Sequence, residues 1–253
     1  MIIPRSLLTL AIAAACSATN AASVRVDADS KHLYGITLDG PIAKGDLSRL
    51  KSTFAQRTSS PTTNMIALNS PGGDLNEAMS IGRWVRENKL KVLVRENAKC
   101  FSSCVYVLAA GQTKTPLGEV GIHRPYLLSM PTGGVENAMR NALSQSREYF
   151  ESMNIPAQLA DVMFSTPPEK LVILDDSQLS SYRLNQDDLA YSEERDLKNA
   201  AAYGMTRQEY MVKWAKFEEE SKHCHKLPET RDMLACLNPY LVKNGFRKPE
   251  GKR

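Results

Sequence analysis

A strand pattern, a pair of glycines and a helix pattern follow one another in the second quarter of the chain. Residues 64–68 have the pattern of a buried strand, with an apolar run at 65–68. A turn with Gly72 and Gly73 follows, and apolar residues then recur at helical spacing over 75–85. The alternation continues with a strand pattern at 91–94, a short buried helix pattern at 105–110 and another strand pattern at 120–123. Strands that alternate with helices in this way indicate βαβ units and a largely parallel sheet, so we predict an α/β fold.

The remaining patterns divide the chain into two parts. Further elements are predicted as strands at 24–26 and 33–38 and as helices at 45–58, 133–153, 157–164 and 178–184. From about residue 185 the sequence becomes charged and helical, with aromatic residues near a helical repeat, namely Tyr203, Tyr210, Trp214 and Phe217. We therefore predict an α/β domain over 22–185 and a helical C-terminal appendage over 186–253.

The first 21 residues have the pattern of a signal peptide. A short basic start precedes an apolar run at 6–16, and small residues follow, with a suitable cleavage position after Ala21. The apolar run is too short to span a bilayer comfortably, and no other segment approaches that length. Cys16, after three alanines, is a weaker lipoprotein-type alternative. We predict a periplasmic or secreted protein with no membrane span.

Charge is spread along the chain in a way that argues against a nucleic-acid partner. The 253 residues carry 32 basic and 28 acidic side chains, for a formal net charge of +4. Basic residues cluster only in the last few positions, whereas a surface that binds nucleic acid needs a larger basic patch. We predict no nucleic acid among the partners.

Four cysteines remain once the predicted leader is removed: Cys100, Cys104, Cys224 and Cys236. An even number in an oxidising compartment indicates two disulfides, and pairing within each sequence cluster is the simplest of the three possible connectivities. His223 and His225 flank Cys224, but their spacing to Cys236 matches no zinc-binding pattern. We expect neither a metal nor another cofactor.

The glycine turn, a serine and a histidine supply the groups that nucleophilic attack on a carbonyl requires. Ser102 is expected to begin the helix that follows it, which leaves the N–H of Ser103 without a helical partner. That donor and the N–H of Gly73 could stabilise an oxyanion, while His123, after a strand pattern, could take the Ser102 proton. Each residue type alone is common, so the hypothesis depends on their order and spacing.

Three segments together resemble the proteolytic subunit of the Clp protease. The turn 70–73 reads Ser-Pro-Gly-Gly, Ser102 follows Gly73 by 29 residues, and 122–125 reads Ile-His-Arg-Pro, each similar to a segment of that family. The segment 102–106 is also similar to the nucleophile region of signal peptide peptidase A, which belongs to the same Clp/crotonase superfamily. The resemblance covers residues 32–185.

The resemblance implies a Clp/crotonase-like spiral of ββα units and a serine peptidase that acts on peptide or protein substrates. By position, Ser102 matches the nucleophile, His123 the base, and Gly73 with Ser103 the oxyanion donors. Clp-like folds usually assemble into rings or trimers, so a homo-oligomer is implied as well. We do not expect ATP-driven degradation, because the chain contains no ATPase segment and is predicted to be exported.

The third member of a catalytic triad is where the sequence departs from the family. The family's aspartate corresponds to a position near Leu171, which is apolar. We assign the role to Asp175, and Glu169 and Asp176 are alternatives within a few residues. An orienting acid holds the imidazole tautomer and stabilises its cation, so its loss would lower activity without abolishing it.

Other assignments stay open at this point. The missing in-register aspartate also fits a catalytically silent Clp-fold protein that binds peptides or a partner in its cleft. An acyl-CoA enzyme of the crotonase type is disfavoured by export away from CoA and by His123. Ser103 is the alternative nucleophile, and Lys99 or Lys114 is a remote alternative base.

Overall fold

The computed structural model describes residues 21–28, 33–55, 64–126 and 134–247. The predicted signal peptide lies outside these residues apart from Ala21, and Cys16 lies outside them too. The strands are β1 (Ser23–Ala28), β2 (Leu33–Asp39), β3 (Met65–Asn69), β4 (Lys91–Val94), β5 (Lys99–Phe101), β6 (Lys114–Pro116), β7 (Glu119–Ile122) and β8 (Val172–Ile173). They form two mixed sheets flanked by helices, so the fold is α/β.

The larger sheet has the strand order β1-β2-β3-β4-β6. β1 runs antiparallel to β2, and all other neighbours in this sheet are parallel. The central strand β3 buries Ile66, Ala67 and Leu68 in succession, as expected for a parallel strand covered on both faces. Parallel strands end at the same edge of a sheet, so Asp39 and Asn69 lie side by side, and the glycine turn leaves the sheet there.

The smaller sheet has the order β5-β7-β8. β5 and β7 are parallel, whereas β7 and the short edge strand β8 are antiparallel. A side chain at Gly121 in β7 would come within 3.1 Å of the side chains of Phe101, Leu171 and Ile173. Glycine at this position therefore lets the apolar side chains of the two outer strands close over the middle one.

The helices lie between and after the strands. They are α1 (Asp46–Ala55), α2 (Leu75–Glu87), α3 (Cys104–Ala109), α4 (Val135–Ser152), α5 (Gln158–Ser165), α6 (Asp176–Ser181), α7 (Leu189–Ala202), α8 (Arg207–Ser221) and α9 (Thr230–Lys243), with a 3₁₀ turn at Cys224–Lys226. Over the described part of the chain, no helix combines the length and the apolar composition needed to cross a membrane.

Buried apolar side chains form two clusters. The larger runs from Ala22 to Leu184 and includes side chains from both sheets and from helices α1 to α6. The smaller is built from α7, α8, α9 and the segments between and after them. The domain boundary predicted at 185/186 lies in the stretch of sequence between the last residue of the larger cluster and the first of the smaller one. It stays a prediction. Ion pairs from Arg86 to Asp188 and from Lys89 to Glu194 connect α2 to the start of α7.

The sequence patterns predicted the longer elements better than the short ones. The strand at 91–94 has the predicted bounds. The helices α2, α4 and α5 begin and end within two residues of their predicted bounds. The strands β5, β6 and β8 were not predicted, so the single sheet that the patterns suggested is in fact two sheets. Strands of two or three residues contain too few positions to show an alternation.

The smaller cluster is centred on Phe246, which is buried against aromatic rings from α7 and α8. Its ring centroid lies 5.2 to 5.9 Å from those of Tyr203, Tyr210, Trp214 and Phe217. We expect Phe246→Ala to lower the free energy of unfolding by about 3 to 5 kcal/mol, because it removes a large buried ring and leaves a cavity. Urea denaturation followed by circular dichroism measures the loss.

Leu234→Ala is the matched control for that substitution. Leu234 lies in α9 of the same appendage, but it is 58% exposed, so its truncation leaves no cavity. We expect a change within about 0.5 kcal/mol. Equal effects of the two substitutions would contradict the placement of Phe246 at the centre of this cluster.

Lys114 is a buried cation between the sheet and the start of α7. Its side chain is 3% exposed, and its Nζ donates one hydrogen bond to the Gly111 carbonyl at 3.3 Å. Burial disfavours the charged form and lowers the pKa of Lys114 from 10.5 to about 8, although the nearby Asp188 carboxylate opposes this shift. The ammonium group is therefore destabilising in the folded protein at neutral pH.

A pH dependence of stability follows from this shift. Between pH 8 and pH 10.5 the unfolded chain binds a proton at Lys114 that the folded chain does not, so stability rises with pH over this window. We expect the free energy of unfolding of the wild type, relative to Lys114→Met, to rise by about 3 kcal/mol across the window as an upper limit. Urea titrations at several pH values measure it, and a pH-independent difference would contradict the burial of a charged Lys114.

Candidate active site

The glycine turn is held against the segment that follows β2. The N–H of Ile42 donates to the Gly72 carbonyl at 2.8 Å, and the N–H of Asp74 donates to the Ile42 carbonyl at 2.9 Å. Gly72 and Gly73 have φ values of +94° and +149°, and a side chain on Gly73 would lie 2.1 Å from the Ile42 carbonyl oxygen. Only glycine fits this approach of two backbone segments.

This pairing orients the N–H of Gly73. Ile42 and Gly73 form a parallel bridge in which the bonds to Ile42 come from the residues on either side of Gly73. The N–H and C=O of Gly73 itself therefore point to the opposite side. On that side the Gly73 carbonyl accepts a hydrogen bond from Ser103 Oγ at 3.2 Å. Gly73 is solvent-exposed, so its N–H can meet a substrate on the face occupied by Ser102 and Ser103.

Ser102 occupies the turn between β5 and α3. The helix begins at Cys104 with Ser103 as its N-cap, so the expectation that Ser102 begins the helix was wrong. Ser102 instead has φ +54°, in the left-handed region that serine rarely adopts, and its N–H donates to the Gly121 carbonyl at 2.9 Å. Strained backbone of this kind is concentrated at functional sites.

The N-cap position of Ser103 leaves its backbone N–H available. The first N–H groups of a helix have no partner within the helix, and the Ser103 hydroxyl is directed to the Gly73 carbonyl. Gly73 and Ser103, whose N–H groups are the predicted oxyanion donors, line the same cavity as Ser102. The alternative nucleophile, Ser103, is buried and has its hydroxyl engaged, whereas Ser102 is partly exposed.

His123 is the first residue after β7 and is partly exposed. Its Nδ1 lies 2.8 Å from the carbonyl oxygen of Arg124. A carbonyl oxygen can only accept a hydrogen bond, so in the neutral imidazole Nδ1 carries the hydrogen and Nε2 has the free lone pair. The ring also packs edge to face against Tyr126, with 5.4 Å between centroids. The hydrogen bond fixes the tautomer with a lone pair on Nε2, and the ring contact restrains the orientation of the imidazole.

Asp175 has a different position from the one expected of a catalytic acid. It is exposed and caps α6: its Oδ1 accepts from the N–H of Gln178 at 2.8 Å, and Gln178 Oε1 accepts from the N–H of Asp175 at 3.0 Å. Within the described residues no hydrogen bond joins a carboxylate to His123. The Asp-x-x-Gln pattern before a helix is a capping-box signature that the sequence already contained.

The groups predicted from the sequence meet at one cavity of about 590 Å³. Ser102, Ser103, Gly73 and His123 all line it, and Asp175, Lys99 and Lys114 do not. The apolar part of its wall was not predicted and consists of Ile42, Pro71, Leu75, Tyr106, Pro125, Tyr126 and Met163. In the described structure no hydrogen bond joins Ser102 to His123; such contacts commonly tighten only when substrate binds.

One wall of this cavity is tied to the segment before β8. The Tyr126 hydroxyl donates to the Pro168 carbonyl at 2.5 Å, and the N–H of Arg124 donates to the Thr166 carbonyl at 2.9 Å. These bonds hold the residues after β7 in place on the side opposite the glycine turn. The Arg124 carbonyl that accepts from His123 is thus part of an anchored segment, and sequence alone gives no sign of a backbone group in that role.

Both disulfides join cysteines within a sequence cluster. Cys100 is bonded to Cys104 on either side of Ser102, and Cys224 is bonded to Cys236 in the appendage. This is the connectivity that the sequence left as the simplest of three. His223 Nε2 lies 3.5 Å and 3.7 Å from the two appendage sulfurs, and this group is the one candidate metal cluster among the described residues. Bonded cysteines have no thiolate to offer a metal.

Comparisons with known proteins add little to this geometry. No protein-family model matches the chain, and no curated protein matches it. Among solved structures, a mutant of the 1510-N membrane-bound stomatin-specific protease is a partial match, with a TM-score of 0.45 and 14% identity over 64% of this chain and 83% of that chain. At this level the match says nothing about catalytic residues or substrates.

Proposed function

We propose that this chain is a serine hydrolase that cleaves peptide or protein substrates with a Ser102–His123 dyad. Ser102 Oγ attacks the substrate carbonyl while His123 Nε2 accepts its proton. The N–H groups of Gly73 and Ser103 stabilise the tetrahedral oxyanion, and the protonated imidazole then delivers the proton to the leaving amine. Water attacks the acyl-enzyme with the same groups, and Ser102 recovers its proton.

One observation carries the proposal: four groups with complementary roles in acyl transfer line a single cavity. They come from three separate parts of the chain, the glycine turn, the turn before α3 and the residue after β7. Acyl transfer explains why a strained serine, an imidazole and two available N–H groups lie at the same cavity. Coincidence is the less economical explanation. The apolar wall supplies space for a substrate side chain beside the attacked carbonyl.

The Arg124 carbonyl takes the place that an aspartate has in a triad. It fixes the same tautomer, because it accepts a hydrogen bond from Nδ1 at 2.8 Å. It carries only a partial negative charge, so it stabilises the imidazolium less than a carboxylate does. We therefore expect a dyad slower than a complete triad, with a missing acid costing up to about 10⁴-fold in kcat where the tautomer is also lost.

Labelling with a fluorophosphonate tests the proposal, since this reagent phosphonylates an activated serine with loss of fluoride. We expect stoichiometric labelling of the wild type, complete loss in Ser102→Ala, and retention in Ser103→Ala, which keeps the backbone N–H. Mass spectrometry of tryptic peptides locates the adduct. Absence of an adduct on Ser102 in folded, oxidised wild type would reject the hydrolase.

A catalytically silent peptide-binding protein is the second candidate. The observations that favour it are the absence, within the described residues, of a Ser102–His123 hydrogen bond and of a carboxylate at His123. This candidate expects no labelling, but it does expect peptides with apolar side chains to bind and to protect Tyr126 from modification. Binding without labelling would therefore favour it over the hydrolase.

Three broader features of the chain are part of the same proposal. We propose cleavage after Ala21 and a periplasmic or secreted location, and the two disulfides are consistent with an oxidising compartment. We also propose that the α/β domain is a Clp/crotonase-type spiral and that the protein forms a homo-oligomer. N-terminal sequencing of the mature protein tests the cleavage position, and analytical ultracentrifugation tests the oligomer.

A further inference from the structure

We propose that the Cys100–Cys104 disulfide positions Ser102 and that its reduction by a dithiol switches the site off. The bond brackets the serine within a separation of four residues, with 5.2 Å between the two Cα atoms. This inference rests on the proposed hydrolase function of Ser102. Cys100 and Cys104 act here as positioning residues, since neither lines the cavity.

The Cys100 end of the bond is fixed to the glycine turn. Cys100 lies in β5 and forms a parallel bridge with Ser70, the residue that opens the turn. The N–H of Ser70 donates to the Lys99 carbonyl at 2.7 Å, and the N–H of Phe101 donates to the Ser70 carbonyl at 3.0 Å. The Ser70 hydroxyl in turn accepts from the N–H of Gly72 at 3.1 Å. Cys100 therefore moves with the segment that supplies the first oxyanion donor.

The Cys104 end of the bond is fixed to the second donor. Cys104 is the first residue of α3 and directly follows Ser103, whose N–H is that donor. Both cysteines are fully buried in the larger apolar cluster. The disulfide thus joins covalently the two backbone segments whose N–H groups must hold one oxyanion between them.

Ser102 needs such a restraint because its backbone conformation is unfavourable. A non-glycine residue at φ +54° persists only where its surroundings hold it. Its backbone is otherwise restrained by two hydrogen bonds: its N–H donates to the Gly121 carbonyl at 2.9 Å, and its carbonyl accepts from the N–H of Val105 at 3.1 Å. A side chain at Gly72 would lie 2.8 Å from Ser102 Cβ, so the turn has little room to relax while the ends stay closed. Opening the disulfide removes the tightest of these restraints.

The loop length also indicates a local role. A disulfide stabilises the whole fold mainly by limiting the unfolded chain, and this effect grows with the length of the loop it closes. Cys100 and Cys104 are separated by four residues, whereas Cys224 and Cys236 are separated by twelve. The first bond restrains the unfolded chain less, so its main effect is on the turn it encloses.

The switching reaction is an ordinary thiol–disulfide exchange. Both sulfurs are buried in the closed structure, so exchange proceeds when the turn that carries Ser102 opens locally. A dithiol reductant then attacks one sulfur of the pair, the Cys100–Cys104 bond breaks, and the reductant closes to its own disulfide. The two electrons and two protons of the dithiol end on the two cysteine thiols. Ser102, His123 and the donors are chemically unchanged, so oxidation restores the active arrangement.

The second disulfide provides a matched control within the same chain. We compare the rate constant for fluorophosphonate labelling and the melting temperature in Cys100→Ala/Cys104→Ala and in Cys224→Ala/Cys236→Ala. We expect the first variant to be labelled roughly 100-fold more slowly, the effect of a misplacement of about 1 Å at a reacting group. We expect the second to be labelled within about two-fold of the wild-type rate while losing more thermal stability.

A redox titration separates positioning from folding. The Cys224→Ala/Cys236→Ala protein keeps only the disulfide around Ser102, and it is equilibrated in dithiothreitol buffers of graded potential. We expect the labelling rate to fall together with the appearance of alkylatable Cys100 and Cys104, to recover on reoxidation, and to do so with an unchanged far-UV circular dichroism signal.

The outcomes distinguish this inference from the function on which it rests. No labelling of the oxidised wild type would overturn both. If the oxidised wild type is labelled and folded Cys100→Ala/Cys104→Ala is labelled at the same rate, the positioning role alone is overturned. The same holds if reduction of Cys224→Ala/Cys236→Ala leaves its labelling rate unchanged. Loss of labelling only in step with the far-UV signal would also overturn it, because the bond would then hold the fold rather than the serine.

Discussion

Replacing His123 by alanine slows the labelling of Ser102 by about 100- to 10,000-fold, the contribution expected of a positioned general base. The imidazole is the group beside the serine whose lone pair is free, because its other nitrogen donates to the Arg124 carbonyl. His123 is partly exposed, so its truncation leaves no buried cavity and the melting temperature should change little. The measurement is the second-order rate constant with a fluorophosphonate.

Two comparisons make this prediction sharp. His225→Ala removes an exposed histidine from the appendage and is expected to leave the rate unchanged. Imidazole added to His123→Ala can enter the open cavity and is expected to restore part of the rate. A His123→Ala protein that reacts within about three-fold of the wild type would show that some other group takes the serine proton, since even a weak general base contributes more than that.

Replacing Gly73 by alanine is expected to cost about 100- to 1,000-fold in labelling rate, the effect of losing one oxyanion donor. The added Cβ would lie 2.1 Å from the Ile42 carbonyl oxygen and 2.8 Å from its nitrogen, so the two backbone segments must separate. The hydrogen bonds that Ile42 makes to Gly72 and Asp74 are weakened as a result. We also expect a loss of about 2 kcal/mol in the free energy of unfolding, from two strained hydrogen bonds.

Gly204→Ala is the control for the backbone effect alone. Gly204 also has a positive φ, of +66°, but an added Cβ would meet no atom within 4 Å. It should lose about 1 kcal/mol of stability and no labelling rate. If Gly73→Ala lost stability but reacted as fast as Gly204→Ala, the N–H of Gly73 would not be an oxyanion donor.

The order and spacing of Gly73, Ser102 and His123 predicted where these residues meet, whereas their residue types alone did not. Gly73, Ser102 and His123 lie far apart in the sequence, yet each follows a strand, and the strand ends bring them to one cavity. Ser102 and His123 follow parallel strands of the smaller sheet, and the bridge between Ser70 and Cys100 brings the glycine turn of the larger sheet next to them. The second sheet was not predicted as such, because its outer strands β5 and β8 are too short to leave a periodic pattern.

Other parts of the site depend on atoms that the sequence does not display. The Arg124 carbonyl next to His123 is a backbone group, present at every residue and useful only where the chain places it. The left-handed conformation of Ser102 has no residue-type signal either, since such positions usually carry glycine. Asp175 was chosen because it is a carboxylate near the expected position; in the structure it caps α6, and its role as the orienting acid stays a prediction.

The hydrogen bond from Ser102 to Gly121 also sets when the site can exist. Synthesis proceeds from the N-terminus, so the serine leaves the ribosome before the strand whose carbonyl holds it, and the histidine follows that strand directly. Ser102 and Gly121 are 19 residues apart, so the chain between them must close before this bond can form. Under the proposed function, reactivity of Ser102 would therefore report that β7 has paired with β5.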